Sequence, residues 1–196
     1  TQSREIKKTI LHFLRETGDP SLIDFKLHDF GFRGVSSVES AGIGGAAHLV
    51  NFKGSDTVRG IEVLAKHYDE PCAGFSIPAS EHSTITSWGR ENEVDAMRNM
   101  LESYPTGLVA CVSDSYDIFR ACTELWGSQL KDRVLERDGI LVVRPDSGDP
   151  KATVLAVLGR LGDAFGHERN NKGYAMLNPK IRVIQGDGVD AKSIYN

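Results

Sequence analysis

Phe75-Ser76-Ile77-Pro78-Ala79-Ser80-Glu81-His82-Ser83-Thr84 is an apolar run that breaks at a proline and opens into a polar cluster. That pattern reads as the end of a buried strand meeting a helix, and the helix is predicted to start at Ser83 or Thr84 and run through Trp88. His82 is then expected on a loop, beside an acid and three hydroxyls, where backbone N–H groups at a helix start can hold phosphate. This makes His82 the first candidate for chemistry. The plainer alternative is a histidine that hydrogen-bonds locally, and what weighs against it is recurrence: five other strand ends in the chain have the same character.

Working outward, Ile6, Ile10, Leu11 and Leu14 fall at helical spacing, and Gly18-Asp19-Pro20 ends that helix. A short strand at 23–28 leads to His28-Asp29-Phe30-Gly31-Phe32-Arg33-Gly34, and Ser36-Ser37-Val38-Glu39 reads as a capping box for a helix reaching Leu49. A strand at Val50–Phe52 ends in Lys53-Gly54-Ser55-Asp56 and is followed by a helix over Thr57–Tyr68. After the His82 stretch, with its helix expected to continue to Ser103, come strands at Leu108–Val112, Ile140–Val143 and Ile181–Ile184. They end in Ser113-Asp114-Ser115-Tyr116-Asp117, in Arg144-Pro145-Asp146-Ser147-Gly148-Asp149-Pro150, and in Gln185-Gly186-Asp187-Gly188-Val189-Asp190. Asp149 and Pro150 suit the cap and first position of a helix running to Leu161, and Gly166–Gly173 reads as a surface loop.

Strands alternating with helices predict an α/β fold of parallel βαβ units. Six successive polar, Gly-rich loops at the carboxyl ends of strands favour a TIM-like (β/α) barrel over a doubly wound sheet, whose ligand site gathers at one switch point. A complete barrel takes about 250 residues. The expectation is therefore an incomplete barrel of about six βα units, the central part of a larger enzyme domain spanning 1–196.

Composition narrows the function classes. The chain has 196 residues, 40% hydrophobic and 26% charged, and a formal net charge of −4, which gives no support for a nucleic-acid surface. No apolar run approaches the length of a transmembrane helix, and the N-terminus lacks the apolar core of a signal peptide. Cys72, Cys111 and Cys122 form no C-x-x-C pair, and Cys111 sits inside an apolar strand, so a reducing, cytoplasmic setting with a buried thiol is expected. The first residue is not methionine, which suggests that something upstream is missing.

HDFGFRG (28–34), AGIGGAAHLVNFKGSD (41–56), PASEHSTITSWG (78–89), VSDSYDI (112–118), VRPDSGDP (143–150) and VIQGDGVD (183–190) together resemble the nicotinamide phosphoribosyltransferases, a type II phosphoribosyltransferase family. The match runs in order from about residue 3 to the end, without the family's N-terminal segment, its later Gly-rich phosphate loop or its last barrel strands. The resemblance implies transfer of the 5-phosphoribosyl group from phosphoribosyl pyrophosphate to nicotinamide, giving nicotinamide mononucleotide and pyrophosphate in NAD salvage. It also implies a homodimer with sites at the interface, Mg2+, and ATP hydrolysis coupled through a phosphorylated histidine at His82.

The resemblance assigns each candidate a role beside a plainer alternative. Arg144 and Arg33 match phosphate-contacting arginines, whose guanidinium forks suit phosphate oxygens. Alone, each would read as a surface or carboxylate-paired arginine. Asp114 and Asp146 form a carboxylate pair for Mg2+, with Asp146 equally suited to orient ribose hydroxyls, against helix N-caps. Phe30 matches the aromatic that stacks on nicotinamide, opposite a tyrosine of the neighbouring subunit, against a core residue. Asp56 can accept from the carboxamide N–H2 while repelling the carboxylate of nicotinate, against a cap on the helix at Thr57. Ser76 belongs to the substrate-binding set, and Gly186 and Asp187 match a ribose-contacting turn.

Lys53 reads as solvated, and His28, His48, His67 and His167 lack metal-ligand spacing. Phe32, where the family often has tyrosine, and Gly45-Ala46 are mild departures. The competing readings are a non-catalytic module that keeps the substrate-facing loops, a nicotinate phosphoribosyltransferase, and an unrelated metal-dependent barrel hydrolase or aldolase. That last reading lacks a histidine cluster or a convincing Schiff-base lysine.

Overall fold

The computed structural model describes residues 2–195. Its contacts divide them into two compact units, one running to Ser76 and including Tyr195, the other spanning Ile77–Ile194.

In the first unit, α1 (Gln2–Thr17) follows the predicted apolar stripe and ends before Gly18. Asp19 then caps a 3-10 turn over Pro20–Phe25, its carboxylate accepting the Ser21 N–H at 2.9 Å, where a strand is expected. The strands β1 (His28–Asp29) and β2 (Gly54–Ser55) pair in parallel over two residues each. Helix α2 (Val38–Leu49) begins at Ser37, whose hydroxyl accepts the Ser40 N–H at 3.0 Å, so the cap is Ser37 in place of the expected Ser36–Glu39 box. Val50 and Asn51, expected in a strand, close the last turn of α2. Helix α3 (Val58–Tyr68) packs on α2 at a glycine contact: a Cβ on Gly60 would lie 2.6 Å from the Gly45 carbonyl carbon. Two bare backbones can approach that closely, and any side chain would hold them apart.

In the second unit, α4 (His82–Thr86) is a short helix in which His82 is the first residue, not a loop residue. The predicted continuous helix breaks at Gly89, whose φ of 82° lies in the left-handed region, and resumes as α5 (Glu93–Ser103). Three parallel strands follow: β3 (Thr106–Val112), β4 (Asp138–Arg144) and β7 (Ile181–Val183), in the order β3-β4-β7. Between β3 and β4 run α6 (Ile118–Arg120), a π-helical segment over Ala121–Gln129, and α7 (Lys131–Glu136). Helix α8 (Pro150–Phe165) starts on Asp149, whose carboxylate accepts the Ala152 N–H at 2.8 Å, as predicted. The expected surface loop after it is a hairpin, β5 (His167–Arg169) against β6 (Ala175–Leu177). The described residues end in α9 (Ala191–Tyr195).

The apolar runs of β3 and β4 are buried towards their carboxyl ends, as expected for a parallel sheet covered on both faces. Val109, Cys111, Leu141, Val143 and Ile181 pack against Met97, Leu125, Trp126, Val157 and Leu161, all fully or almost fully buried. On the other side of β3, residues 78–80 lie alongside it. Ala110 donates to the Pro78 carbonyl at 2.8 Å and Ser80 to the Ala110 carbonyl at 3.0 Å.

The barrel expectation is overturned. Among the described residues the sheets have two, three and two strands, and none closes. The strand-end junctions exist, but ladders before β3 shrink to two residues or to single bridges at Gly54↔Phe75 and Ala79↔Ala110. The fold is α/β with a small open parallel sheet, and its carboxyl edge carries several of the candidate residues.

Candidate functional site

Four neighbouring segments of the second unit end on the same edge: 78–80, β3, β4 and β7. Small buried hydroxyls fix two of these ends. Ser80 accepts the Val112 N–H at 2.9 Å. Ser113 donates to the Cys111 carbonyl at 2.9 Å and accepts the Trp126 indole N–H at 3.0 Å. Cys111 itself is inert packing, because burial pushes its thiol up to about 12.

Beyond these anchors the charged side chains converge. His82 Nε2 lies 3.1 Å from Asp114 Oδ1, and His82 Nδ1 lies 3.8 Å from Asp146 Oδ2. The other oxygen of Asp114 accepts the Asp146 N–H at 2.9 Å and the Ser147 hydroxyl at 2.5 Å. Arg144 Nη2 lies 3.5 Å from Asp146 Oδ2 and 3.1 Å from Glu81 Oε2, with Nη1 at 3.5 Å from Glu81 Oε1. Gly186 donates to the Pro145 carbonyl at 2.9 Å and lies flush against Asp146, so that a Cβ there would collide with the carboxylate. Asp187 is exposed, and its carbonyl accepts from the Gln185 amide at 2.9 Å.

The structure therefore brings His82, Asp114, Arg144, Asp146 and Gly186 together, and it removes several plain alternatives. Asp114 and Asp146 are not helix caps, since Asp117 caps α6 and Asp149 caps α8. The carboxylate that holds His82 is Asp114, its side chain only 4% exposed while the imidazole remains 43% exposed. An Nε2–H donated to Asp114 leaves the Nδ1 lone pair free. Three buried polar atoms on this edge, Ser115 Oγ, Arg144 Nε and Gln185 Oε1, have no hydrogen-bond partner among the described residues. Buried polar atoms are rarely left so, and three at adjoining strand ends point to a polar ligand.

The first unit holds the remaining candidates. The Ser76 hydroxyl donates to Asp56 Oδ1, tying two of them together. Asp56 is not a cap: the N-cap of α3 is Thr57, which makes no side-chain capping bond. Phe30 is half-buried at the start of the Gly31–Gly34 turn, with its ring centroid 6.0 Å from that of His28, and Arg33 is exposed on the same turn.

Sequence reasoning passed over Ser147, which sits in the quoted motif one residue after Asp146, and Ser80, Ser113 and Trp126, which position strand ends. It left Glu81 without a role. The Glu81–Arg144 pairing spans 63 residues and has no local signature.

Residues 25–196 match the model of the nicotinate phosphoribosyltransferase (NAPRTase) family. The chain belongs to that family. Among curated proteins it is 54% identical to the nicotinamide phosphoribosyltransferase of Xanthomonas campestris pv. campestris (strain 8004), over 99% of this chain and 42% of the relative. It is 36% identical to the nicotinamide phosphoribosyltransferase of Mycoplasma pneumoniae, over 99% of this chain and 44% of the relative. To that of Acinetobacter baylyi it is 33% identical, over 83% of this chain and 36% of the relative. The chain thus spans less than half the length of these relatives. No helix among its described residues is long and apolar enough to cross a membrane.

Proposed function

We propose that this chain carries the catalytic strand-end cluster of a nicotinamide phosphoribosyltransferase, which moves the 5-phosphoribosyl group of phosphoribosyl pyrophosphate onto the ring nitrogen of nicotinamide. The observation that carries the reading is the half-exposed His82 imidazole between two buried carboxylates, beside the buried Arg144 guanidinium with its unpartnered Nε. Breaking the bond to pyrophosphate places negative charge on the leaving group, and a fixed guanidinium that needs no reorganisation stabilises it. Arg144 holds a phosphate, and Asp146 and the Gly186-Asp187 turn face the ribose.

ATP is the proposed further substrate. His82 Nδ1 attacks the γ-phosphorus, the bond to the bridging oxygen breaks, and ADP leaves. Asp114 shares the Nε2 proton throughout and neutralises the imidazolium.

The donor set also bears on Mg2+. No group of three or more His, Cys, Asp or Glu able to hold a metal ion exists among the described residues. Both oxygens of Asp114 are taken by protein donors, whereas Asp146 is touched only by ion pairs at 3.5 and 3.8 Å. That set fits a cation brought in on the pyrophosphate and held through Asp146 with phosphate oxygens and waters. When bound, it would neutralise charge on the leaving group.

Nicotinamide is the proposed acceptor rather than nicotinate. Asp56 accepts from the carboxamide N–H2 and repels a carboxylate, with Ser76 orienting it and Phe30 stacking on the ring. The names of the relatives agree with this choice. A homodimer that completes the ring site, and action in the cytoplasm, belong to the same reading; the first rests on the sequence resemblance and the second on the cysteine pattern.

The test is product formation from phosphoribosyl pyrophosphate with nicotinamide or nicotinate, in wild type and Asp56→Ser. Nicotinamide mononucleotide from the wild type, with preference shifting towards nicotinate in the variant, is expected. A wild type that uses nicotinate as well as nicotinamide would reject the assignment of Asp56.

A further inference from the structure

Resting on the reading of Arg144 as a phosphate holder, we infer that Glu81 is a built-in competitor for that phosphate. Its carboxylate forks onto the two terminal nitrogens of Arg144, at 3.1 and 3.5 Å, which is the two-point geometry a phosphate's oxygens would adopt. The two partners are unlike. The Arg144 side chain is 7% exposed and fixed, whereas that of Glu81 is 60% exposed and also accepts the Thr84 N–H in the capping box of α4. The buried Arg144 Nε has no hydrogen-bond partner among the described residues, so Glu81 satisfies the guanidinium only in part and leaves an oriented donor for a ligand with more oxygens.

The location gives the competition a consequence. Glu81 is the N-cap residue of α4, its N–H lies 3.3 Å from the Thr84 hydroxyl, and His82 is the next residue. An arriving phosphate displaces the Glu81 side chain from Arg144, and a departing product is replaced by it. The ligand class is a phosphate or pyrophosphate group. The role of Glu81 is to hold down its affinity and speed its release, as a positioning residue that acts through Arg144.

Inorganic pyrophosphate is the probe, titrated calorimetrically into wild type, Glu81→Gln, Glu81→Asp and Arg144→Gln, each checked for a native melting transition. Removing one competing charge at a half-exposed position should tighten binding in Glu81→Gln by about threefold to fivefold, the range of an exposed ion pair. Glu81→Asp keeps the charge and a good N-cap but is too short to fork, so it should also tighten binding, by less. Turnover adds a readout that a merely structural role would not move: Glu81→Gln should lower KM for phosphoribosyl pyrophosphate and lower kcat with it. Unchanged or weaker pyrophosphate binding in both Glu81 variants, with binding lost in Arg144→Gln, would overturn the competitor role and leave Arg144 as the phosphate holder. Equal affinity in Arg144→Gln and wild type, or no binding by any of the four, would overturn both.

Discussion

Replacing Gly186 by alanine separates the geometry of the site from the stability of the fold. The backbone at Gly186 is not in the left-handed region, so alanine meets no conformational penalty there. The new Cβ would overlap Asp146 Oδ1, lie 2.9 Å from Asp146 Cγ, and come within 3.4 Å of Arg144 Cδ. Relief requires the carboxylate to rotate away by about an ångström or more, the separation that ordinary van der Waals contact demands. The obstructing group is the far end of a side chain on the open edge of the sheet, so the fold should lose less than about 1 kcal/mol. The site loses more. Asp146 Oδ2 lies 3.5 Å from Arg144 Nη2 and 3.8 Å from His82 Nδ1, and an ångström of displacement breaks both pairings. A misplacement of that size costs on the order of a hundredfold in rate. Gly186→Ala should therefore show kcat/KM for nicotinamide mononucleotide formation down by roughly that factor, with a melting temperature within a few degrees of wild type. Activity within about twofold of wild type would refute the claim that the position of Asp146 matters. A collapse in stability would refute the claim that the contact is local.

The remaining predictions concern the scaffold. Arg137 donates to the carbonyls of Tyr104, Thr106 and Gly107 at 2.7–2.8 Å, so Arg137→Met should lose about 3–4 kcal/mol by urea denaturation; a loss under about 1 kcal/mol would show that water replaces the guanidinium. Burial holds His28 and His48 below the ordinary imidazole value of 6.5, and His48 donates from Nε2 to the Gly54 carbonyl at 2.8 Å. A lowered folded-state value contributes stability above 6.5 that is lost as pH falls below it, so amide protection factors in α2 and α3, corrected for the intrinsic pH dependence of exchange, should fall below pH 6.5; protection factors that stay flat as the solution is acidified would refute this. Burial pushes Cys111 and Cys122 up to about 12, whereas Cys72 is exposed. A maleimide at about pH 8 should label one thiol in the native protein and three in urea; rapid native labelling of a second would mean that the core around Trp126 opens.

The three strands that carry the site were legible because Leu108–Val112, Ile140–Val143 and Ile181–Ile184 are apolar runs that end abruptly in charged or Gly-rich residues. The structure brings the charged groups that follow two of them together with His82. The number of strands was less legible, because a short apolar run does not reveal whether it has a ladder partner. Phe52 is buried yet lies outside any strand, and Phe75 makes one bridge. The β5–β6 hairpin was hidden for the opposite reason: His167-Glu168-Arg169 is exposed throughout, so no alternation of apolar and polar side chains marks it. The position of His82 inside α4 rather than before it is a shift of one or two residues, within the usual uncertainty of a helix start. Candidate identities could be read residue by residue, whereas partners such as Asp114 with His82, or Glu81 with Arg144, are set by which strands lie side by side. Asp56 sits between these cases. Its link to Ser76 crosses 20 residues, and only with that bond in view does the capping alternative fall away.

The central claim is that His82, held by Asp114 and flanked by Asp146, is the group that reacts. Incubation with ATP radiolabelled at the γ-phosphate tests it most directly. The account predicts acid-labile, alkali-stable phosphate on the wild-type protein, strongly reduced in Asp114→Asn and absent in His82→Ala. Label that persists in His82→Ala, or nicotinamide mononucleotide formation stimulated by ATP with no label on the protein, would contradict it.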